Sequence, residues 1–200
     1  MPKTIKGQAV VLSHDEYKRL MKIVAASNHP VRNTLLVLLS FGTGMRALEI
    51  ASLKVKDVMT SCGKIIEEVT LRRTKGNKPR PIFLSDPRLK KAIMDYIKER
   101  KANESKLVFS LNQPLLMSQQ KKGFSANNIQ KLFEGIYKKC GLIGASSHTG
   151  RRTFCTRLIE DGTDIKTVSI LMGHSHVSMT AKYIEANPIR MKRVISRALY

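Results

Sequence analysis

A run of seven residues, Leu35-Leu-Val-Leu-Leu-Ser-Phe41, sets the strongest limit on how this chain can fold. Pro30 precedes the run and can open a helix, and the glycines of Gly42-Thr-Gly44 can end it. The apolar stretch has the length of a buried helix and falls short of the roughly 18 residues that span a bilayer. With 200 residues, 42% of them hydrophobic, the chain can build one domain of ordinary size around this helix.

The rest of the chain predicts a mainly α fold with one small antiparallel β-sheet, an α+β domain. Caps, apolar periodicity and breaking residues place the other elements. They are a helix from Ser13, a helix from about Arg46, strands over 65–71 and 81–84 joined by a turn at 74–78, a helix from Asp86-Pro87 to about Lys101, a loop over 110–124, a helix from about Ser125 to Cys140, and four short helices in the last sixty residues. We expect residues 1–200 to form a single domain, with residues 1–12 as an extension before the first helix.

Charge gives the first indication of function. Lysine and arginine total 36 against 15 aspartate and glutamate residues, a formal net charge of +21 with an isoelectric point near 10.2. Such an excess calls for a polyanionic partner, and nucleic acid is the first candidate, because each phosphate contacted by lysine or arginine releases condensed counterions. On charge alone, a ribosome-associated protein or a generally basic surface is the alternative.

The cysteines and the N-terminus indicate a location. Cys62, Cys140 and Cys155 are odd in number and widely spaced, which fits free thiols in the reducing cytoplasm better than a disulfide framework. The sequence has no Cys-x-x-Cys pair that would indicate a structural zinc site. The first residues contain no apolar signal-peptide core, and we expect no membrane contact.

Two short motifs in the last third of the chain carry candidate chemistry. His148 and Arg151 are three residues apart, so on a helix they share a face and could cradle one phosphate. His174 follows a glycine and precedes Tyr183 by nine residues. Each motif alone has an ordinary explanation, such as a solvated helix face, a helix cap or a tyrosine at a core edge. His176 forms a His-x-His pair with His174, which without a third ligand does not predict a metal site.

Taken together, these motifs resemble those of the tyrosine recombinase, or phage integrase, family. The motifs that match are Thr43-Gly-Met-Arg46, Lys75-Gly-Asn-Lys78-Pro-Arg80, His148-Thr-Gly-Arg151, Leu171-Met-Gly-His174 and Tyr183. The resemblance extends over nearly the whole chain and implies the catalytic-domain fold of that family. The catalytic residues that it implies are Arg46, Lys75, His148, Arg151, His174 and Tyr183.

The resemblance also implies what each residue does. Tyr183 would attack a DNA phosphodiester and hold the strand as a 3′-phosphotyrosine, so that DNA is cut and rejoined at specific sites without a cofactor or a metal. The two arginines would clamp the non-bridging oxygens, and His174 would donate a hydrogen bond to the same phosphate. His148 would assist the tyrosine proton, and Lys75 would protonate the departing 5′ oxygen. Glu49 either orients an arginine or forms a surface ion pair.

The implied partner is double-stranded DNA, bound by a homo-tetramer on paired sites and in some cases bent by an accessory protein. Basic residues near the lysine motif and in the long loop are expected to contact backbone phosphates, with a solvated basic face as the alternative for any one of them. They are Arg72, Arg73, Lys78, Arg80, Lys121 and Lys122. Residues 187–200 have apolar residues at helical spacing and would dock on a neighbouring subunit or fold back on their own domain.

The sequence departs from the family in two places. Most members carry a separate N-terminal helical domain, whereas barely a dozen residues precede the first helix here, so we expect either a fragment or one of the short recombinases. Gly150 stands where a bulky apolar residue is more usual. A type IB topoisomerase and a non-catalytic DNA-binding regulator remain as alternative functions. The spacing of His174 and Tyr183 disfavours the topoisomerase, and a pure binder has no use for Tyr183 or Lys75.

Overall fold

The computed structural model describes residues 9–72, 79–103, 109–183 and 195–196. The helices in chain order are α1 (His14–Ala25), α2 (Pro30–Thr43), α3 (Ala47–Ser52), α4 (Val55–Val58), α5 (Pro87–Asn103), α6 (Ala126–Lys139), α7 (Thr149–Glu160), α8 (Ile165–Met172) and α9 (Val177–Ala181). The strands β1 (Glu68–Leu71) and β2 (Arg80–Phe83) form one antiparallel sheet. The prediction of a mainly α fold with a small antiparallel sheet is confirmed.

Helix α2 is the central element. Leu35, Leu36 and Leu39 are wholly buried, and α1, α3, α5 and α7 pack against the helix. Pro30 lies in its first turn, and Gly44 ends it in the left-handed conformation with a φ of 63°. Because α2 is enclosed by other helices, the residues that follow its C-terminal end are held firmly in place.

Short polar caps start several helices where the sequence predicted them. At α1, the backbone N–H of Glu16 donates to Ser13 Oγ (3.3 Å) and that of Ser13 donates to Glu16 Oε2 (2.8 Å). Ser125 Oγ accepts from a backbone N–H in the first turn of α6 at 3.2 Å. Helix α4 was not predicted, and its signal is Asp57, whose carboxylate accepts from the backbone N–H of Lys54 at 2.8 Å.

The sheet is shorter than the sequence predicted. Strand β1 begins only at Glu68, because Ile65 forms a β-bridge with Met59 instead. In β2, buried and more exposed positions alternate, and Arg80 lies on the buried side. The predicted turn over 74–78 lies outside the described residues.

The buried apolar side chains form two groups. The main core draws on α1 to α6 and both strands, and it includes the apolar residues of α2. The second group, which we call the C-terminal cluster, consists of Cys155, Ile159, Val168 and Met172, with Phe154, Leu158 and Tyr183 packed against it. Tyr183 therefore belongs to the smaller of the two groups.

Helix α7 crosses α2 closely and so connects the two groups. A Cβ atom on Gly150 would lie 2.2 Å from Ser40 Oγ and 2.8 Å from Phe41 Cδ2. Only a residue without a side chain fits this crossing without displacing its neighbours. The departure from the family at Gly150 is therefore explained by packing.

Residues 9–12, the described part of the predicted extension, pack on α7. The backbone N–H of Leu12 donates to Thr153 Oγ1 at 3.1 Å, and Arg152 Nη1 donates to the carbonyl oxygen of Ala9 at 2.7 Å. At the other end of the chain, residues 195–196 have helical backbone, and the remainder of the predicted C-terminal helix lies outside the described residues.

The last two observations concern membrane spans and thiols. Within the described ranges, no helix combines the length and the apolar character needed to cross a membrane. All three cysteines are free: Cys62 is exposed, and Cys140 and Cys155 are buried.

Candidate active site

Arg46 occupies the N-cap position of α3, two residues after the glycine that ends α2. Glu49 accepts from its backbone N–H and from Nη1, at 2.8 Å in each case. The side chain of Glu49 is wholly buried, while that of Arg46 stays 18% exposed. Burial alone would raise the pKa of Glu49, but hydrogen bonds and charges from Arg80 and Arg46 lower it overall. Of the two alternatives for Glu49, the structure shows the one in which it orients an arginine.

Arg80 lies beneath this pair. It is only 2% exposed, and its Nη2 is 2.7 Å from Glu49 Oε2. The expectation of a phosphate contact at Arg80 is therefore corrected: a side chain two residues before Ile82 in a strand shares the inward face with it. Protein encloses the guanidinium, so this group belongs to the interior of the site.

Arg151, in the first turn of α7, reaches the end of α2 from the other side. Its Nη1 donates to the carbonyl oxygen of Gly44 at 2.7 Å, and its Nη2 donates to the carbonyl oxygen of Met172. A guanidinium has five N–H donors, so others remain for a phosphate. Burial lowers the pKa of Arg151 to about 9, and the positive charges of Arg46 and Arg80 lower it in the same direction. The side chain is still protonated at neutral pH.

The C-terminal end of α8 brings two of the arginines together. An α-helix ends with four carbonyl groups that lack partners inside the helix. Here the last two accept from Arg80 and Arg151, and the two before them accept from the backbone N–H groups of Gly173 and His174 at 2.9 and 3.0 Å. The cations also stabilise the negative end of the helix dipole. His174 is the second residue after the end of α8. The contacts that hold this helix end to the arginines therefore also hold His174 near them.

His174 stands between a hydroxyl group and the tyrosine. Its Nδ1 lies 2.7 Å from Thr180 Oγ1, and its ring stacks on that of Tyr183, with centroids 6.1 Å apart and an interplanar angle of 13°. The pKa of His174 is lowered to about 4, first by partial burial and then by the charges of Arg151 and Arg46. The imidazole is therefore neutral at physiological pH and carries one N–H.

The structure thus gathers four of the six implied catalytic residues. Arg46, Arg151 and His174 share electrostatic interactions, and Tyr183, half-buried on the C-terminal cluster, contacts the histidine ring. His148 is exposed at the N-cap position of α7, three residues before Arg151. Lys75, the sixth, lies outside the described residues. Among those that are described, no three His, Cys, Asp or Glu side chains are grouped so as to hold a metal ion.

Of the remaining basic residues expected to contact DNA, the described ones lie at the surface, unlike Arg80. Arg72, Lys121 and Lys122 are exposed, and Lys121 adopts a φ of 55° in the turn that it forms. Arg73 and Lys78 lie outside the described residues.

Sequence reasoning missed the backbone groups that hold the arginines. The turn at Gly44 was recognised as a helix end but not as a partner of Arg151. The sequence held only an indirect signal: glycine suits the φ of 63° at which Gly44 ends α2, but nothing in the sequence points to its carbonyl oxygen as a partner of Arg151. The carbonyl of Met172 and the hydroxyl of Thr180 have no comparable signal in the sequence, because any residue supplies a carbonyl and threonine is common.

Comparison with known proteins identifies the class. The sequence model of the phage integrase family matches residues 10–190, and the chain belongs to that family. Tyrosine recombinase XerA of Pyrococcus furiosus is 29% identical over 197 residues, which cover 98% of this chain and 64% of XerA. The chain thus spans a little under two thirds of the length of this curated relative.

Solved structures show the same fold. A crystal structure of XerA recombinase has a TM-score of 0.74 and 26% identity, covering 98% of this chain and 66% of that one. The Tn1549 transposon integrase in complex with transposon right end DNA has a TM-score of 0.75 and 20% identity, covering 100% of this chain and 69% of the integrase chain. The second likeness concerns the fold alone.

Proposed function

We propose that this chain is the catalytic domain of a site-specific DNA recombinase that cuts and rejoins strands through a 3′-phosphotyrosine on Tyr183. Integration, excision and inversion of DNA would all use this chemistry. One observation carries the proposal: the Tyr183 ring stacks on the neutral imidazole of His174 beside the guanidinium groups of Arg46 and Arg151. Membership of the phage integrase family supports it.

The arginines supply the charge that the reaction needs. As a phosphodiester is attacked, negative charge grows on its non-bridging oxygens, and donors already in position stabilise that charge without rearranging. Arg46 is held by Glu49, and Arg151 by the carbonyls at the ends of α2 and α8. If His174 Nδ1 accepts a hydrogen bond from the Thr180 hydroxyl group, the ring N–H is at Nε2. That N–H can then donate a hydrogen bond to the same phosphate.

Two proton transfers complete the step. Tyr183 Oη bonds to phosphorus while the bond from phosphorus to the 5′ oxygen breaks, so the tyrosine loses a proton and the 5′ oxygen gains one. The ordinary pKa of tyrosine, near 10, makes a proton acceptor useful, and we assign that role to His148. We assign the proton for the 5′ oxygen to Lys75. Attack by a 5′-hydroxyl group reverses the step and restores the DNA, so no cofactor is needed.

We further propose double-stranded DNA as the partner. The net charge of +21 and the exposed Arg72, Lys121 and Lys122 suit a polyphosphate backbone, and Arg73 and Lys78 are proposed as further contacts. The integrase with the same fold was solved with DNA. Residues 1–200 would act as one catalytic unit in a homo-tetramer on paired sites, with residues 187–200 docking in trans and with help from a bending protein where the site needs it. We propose the cytoplasm as the place of the reaction, which a DNA substrate and free thiols support.

The test is a covalent-capture assay on nicked duplexes. Duplexes are prepared from the DNA that flanks the gene, with a nick near the scissile phosphate so that a short strand diffuses away after cleavage and rejoining is prevented. Denaturing electrophoresis separates the protein–DNA adduct, and mass spectrometry of the digested adduct identifies the linked residue. We expect the nucleotide on the peptide that contains Tyr183.

Tyr183→Phe is the matched control, because it removes only the hydroxyl group. It should bind the duplexes with nearly unchanged affinity and form no adduct. An adduct that persists in this variant, or one mapped to another tyrosine, would disprove the assignment. An adduct accompanied by relaxation of supercoiled DNA of any sequence would indicate a topoisomerase, and tight binding without an adduct would indicate a regulator.

A further inference from the structure

We propose that Arg80 is a positioning residue for the cleavage reaction, which holds Arg46 and His174 in place from inside the protein without touching DNA. The inference rests on the proposed function and deepens it. The sequence assigned Arg80 to the DNA surface, where its loss would weaken binding. Its burial predicts a different outcome: binding stays, and the chemical step slows.

Every nitrogen of the Arg80 guanidinium has a partner. Its Nε donates to Glu49 Oε1 at 3.3 Å, and its Nη2 donates to Glu49 Oε2 at 2.7 Å and to the carbonyl oxygen of Gly44 at 3.4 Å. Its Nη1 donates to the carbonyl oxygen of Leu171. One planar group therefore joins strand β2 to helix α3, to the end of α2 and to the end of α8.

The first route of influence runs through Glu49 to Arg46. Oε1 of the carboxylate accepts from Nη1 of Arg46 and from Nε of Arg80, and Oε2 accepts from the backbone N–H of Arg46 and from Nη2 of Arg80. Each oxygen is thus shared between the two arginines. If Arg80 is lost, the carboxylate can rotate, and Arg46 turns with it.

The second route runs through the end of α8 to His174. Leu171, whose carbonyl Arg80 binds, is three residues before His174. The next carbonyl along the helix binds Arg151. Gly173 leaves room for this arrangement, since a Cβ atom there would lie 2.5 Å from Arg80 Cδ. The stem of Arg80 therefore passes directly under the turn that carries the histidine.

A purely structural role accounts poorly for this arrangement. An ion pair in the protein interior is costly to desolvate, and an apolar pair of similar volume is often as stable. What an apolar pair cannot supply is a set of directed donors to three acceptor groups at once. Lysine cannot supply it either, because its ammonium is a single point of charge on a flexible stem.

Arg80→Lys is therefore the variant of choice, because it keeps the charge opposite Glu49 and removes the planar set of donors. Arg88→Lys is the matched control: Arg88 is exposed and pairs with Asp86 at the surface. Both proteins are bound to nicked duplexes at saturation, and the rate of adduct formation in a single turnover is measured. Thermal unfolding and DNA affinity are measured in parallel.

We expect Arg80→Lys to cleave about 10- to 100-fold more slowly than the wild-type protein, the usual effect of misplacing catalytic groups by about an ångström. Its DNA affinity should match that of Arg88→Lys, which should cleave at the wild-type rate. A methylphosphonate at the scissile position distinguishes misplaced catalytic groups from general damage to the fold. It removes the negative charge that the arginines stabilise, so their misplacement matters less on this substrate. The deficit of Arg80→Lys should shrink at least about tenfold on this substrate. An equal deficit on both substrates, or a wild-type rate on both, overturns the proposal.

A measurement without DNA keeps this proposal distinct from the proposed function. The ¹⁵N heteronuclear NOE of the Arg46 Nε–H reports how firmly that side chain is held. We expect it to fall in Arg80→Lys and not in Arg88→Lys; an unchanged value in Arg80→Lys overturns the proposal even where an adduct forms. Failure of the proposed function would show as a wild-type protein that makes no adduct at Tyr183.

Discussion

The two halves of the candidate site are built on different foundations. Arg46 follows directly on α2, whose residues Leu35 to Leu39 lie in a core that draws on α1 to α6 and the sheet. Tyr183 packs on the C-terminal cluster, which has four buried apolar side chains. Arg46 is thus fixed by the packing of most of the domain, whereas Arg151 on α7 is bound to the ends of both α2 and α8. The proposed nucleophile, Tyr183, depends on a few local contacts, so its position can change while the domain stays folded.

Truncation in the main core should give the largest effect on stability. Leu36→Ala removes a wholly buried side chain of α2 and should lower the free energy of unfolding by about 2–5 kcal/mol. Urea denaturation measures the loss. Adduct formation per folded molecule should stay near the wild-type rate, because none of the site contacts described above involves Leu36. A large loss of rate without a loss of stability would contradict the division into two foundations.

A substitution at the crossing of α2 and α7 should affect both halves. In Gly150→Ala the new methyl group would lie 2.2 Å from Ser40 Oγ, and the forced separation should cost about 1–3 kcal/mol of stability. Gly135→Ala is the matched control, since a Cβ atom there has nothing within 4 Å. The control should instead stabilise the protein, by about 0.4–1 kcal/mol. Denaturation of both variants under one set of conditions gives the two signs.

A smaller change in the C-terminal cluster should lower the cleavage rate more, and the stability less, than truncation in the main core. Ile159→Val removes one methyl group from the cluster that supports Tyr183 and should cost about 0.5–1.5 kcal/mol. Single-turnover adduct formation should fall by a larger factor than in Leu36→Ala, although the loss of stability is smaller. If the two variants rank in the same order in both assays, Tyr183 is supported by more than this cluster.

The pH dependence of stability should report the environment of His174. The pKa of His174 is lowered in the folded protein to about 4, against about 6.5 for an unfolded histidine. The unfolded chain therefore binds the extra proton first, and the contribution of His174 to stability, fully present above pH 6.5, declines as the pH falls toward 4. Denaturation at pH 7.5 and pH 5 should show a smaller difference in His174→Gln than in the wild-type protein. The exposed His14 provides a control position outside the site, with the matched variant His14→Gln.

The sequence predicted most of the helices because their signals are local. Ser13 and Glu16 cap a helix wherever it packs, and the apolar run of α2 requires an interior position. The four gathered residues could be named as catalytic candidates because their motifs match a family. Their supporting partners could not, since carbonyl groups at helix ends come together only through tertiary packing.

Arg80 shows how a prediction can miss a signal that was present. It was grouped with exposed arginines because it is charged and follows a basic turn. Its parity with Ile82 in a strand placed it on the inward face. The prediction gave more weight to the charge of Arg80, which favours exposure, than to its place in the strand, which favours burial. Glu49, whose carboxylate makes the burial of Arg80 tolerable, lies 31 positions away in the sequence.

The enclosed arginines have a consequence for how the protein behaves in a test tube. Arg46, Arg80 and Arg151 set three positive charges against the single negative charge of Glu49. The pKa of Arg151 is lowered first by burial and then by repulsion from the other two arginines. A site with this surplus of positive charge should bind small anions when DNA is absent. Sulfate and phosphate buffers should raise its melting temperature by mass action and compete with DNA for the same place. Rates measured in phosphate and in chloride at equal ionic strength therefore describe two different starting states.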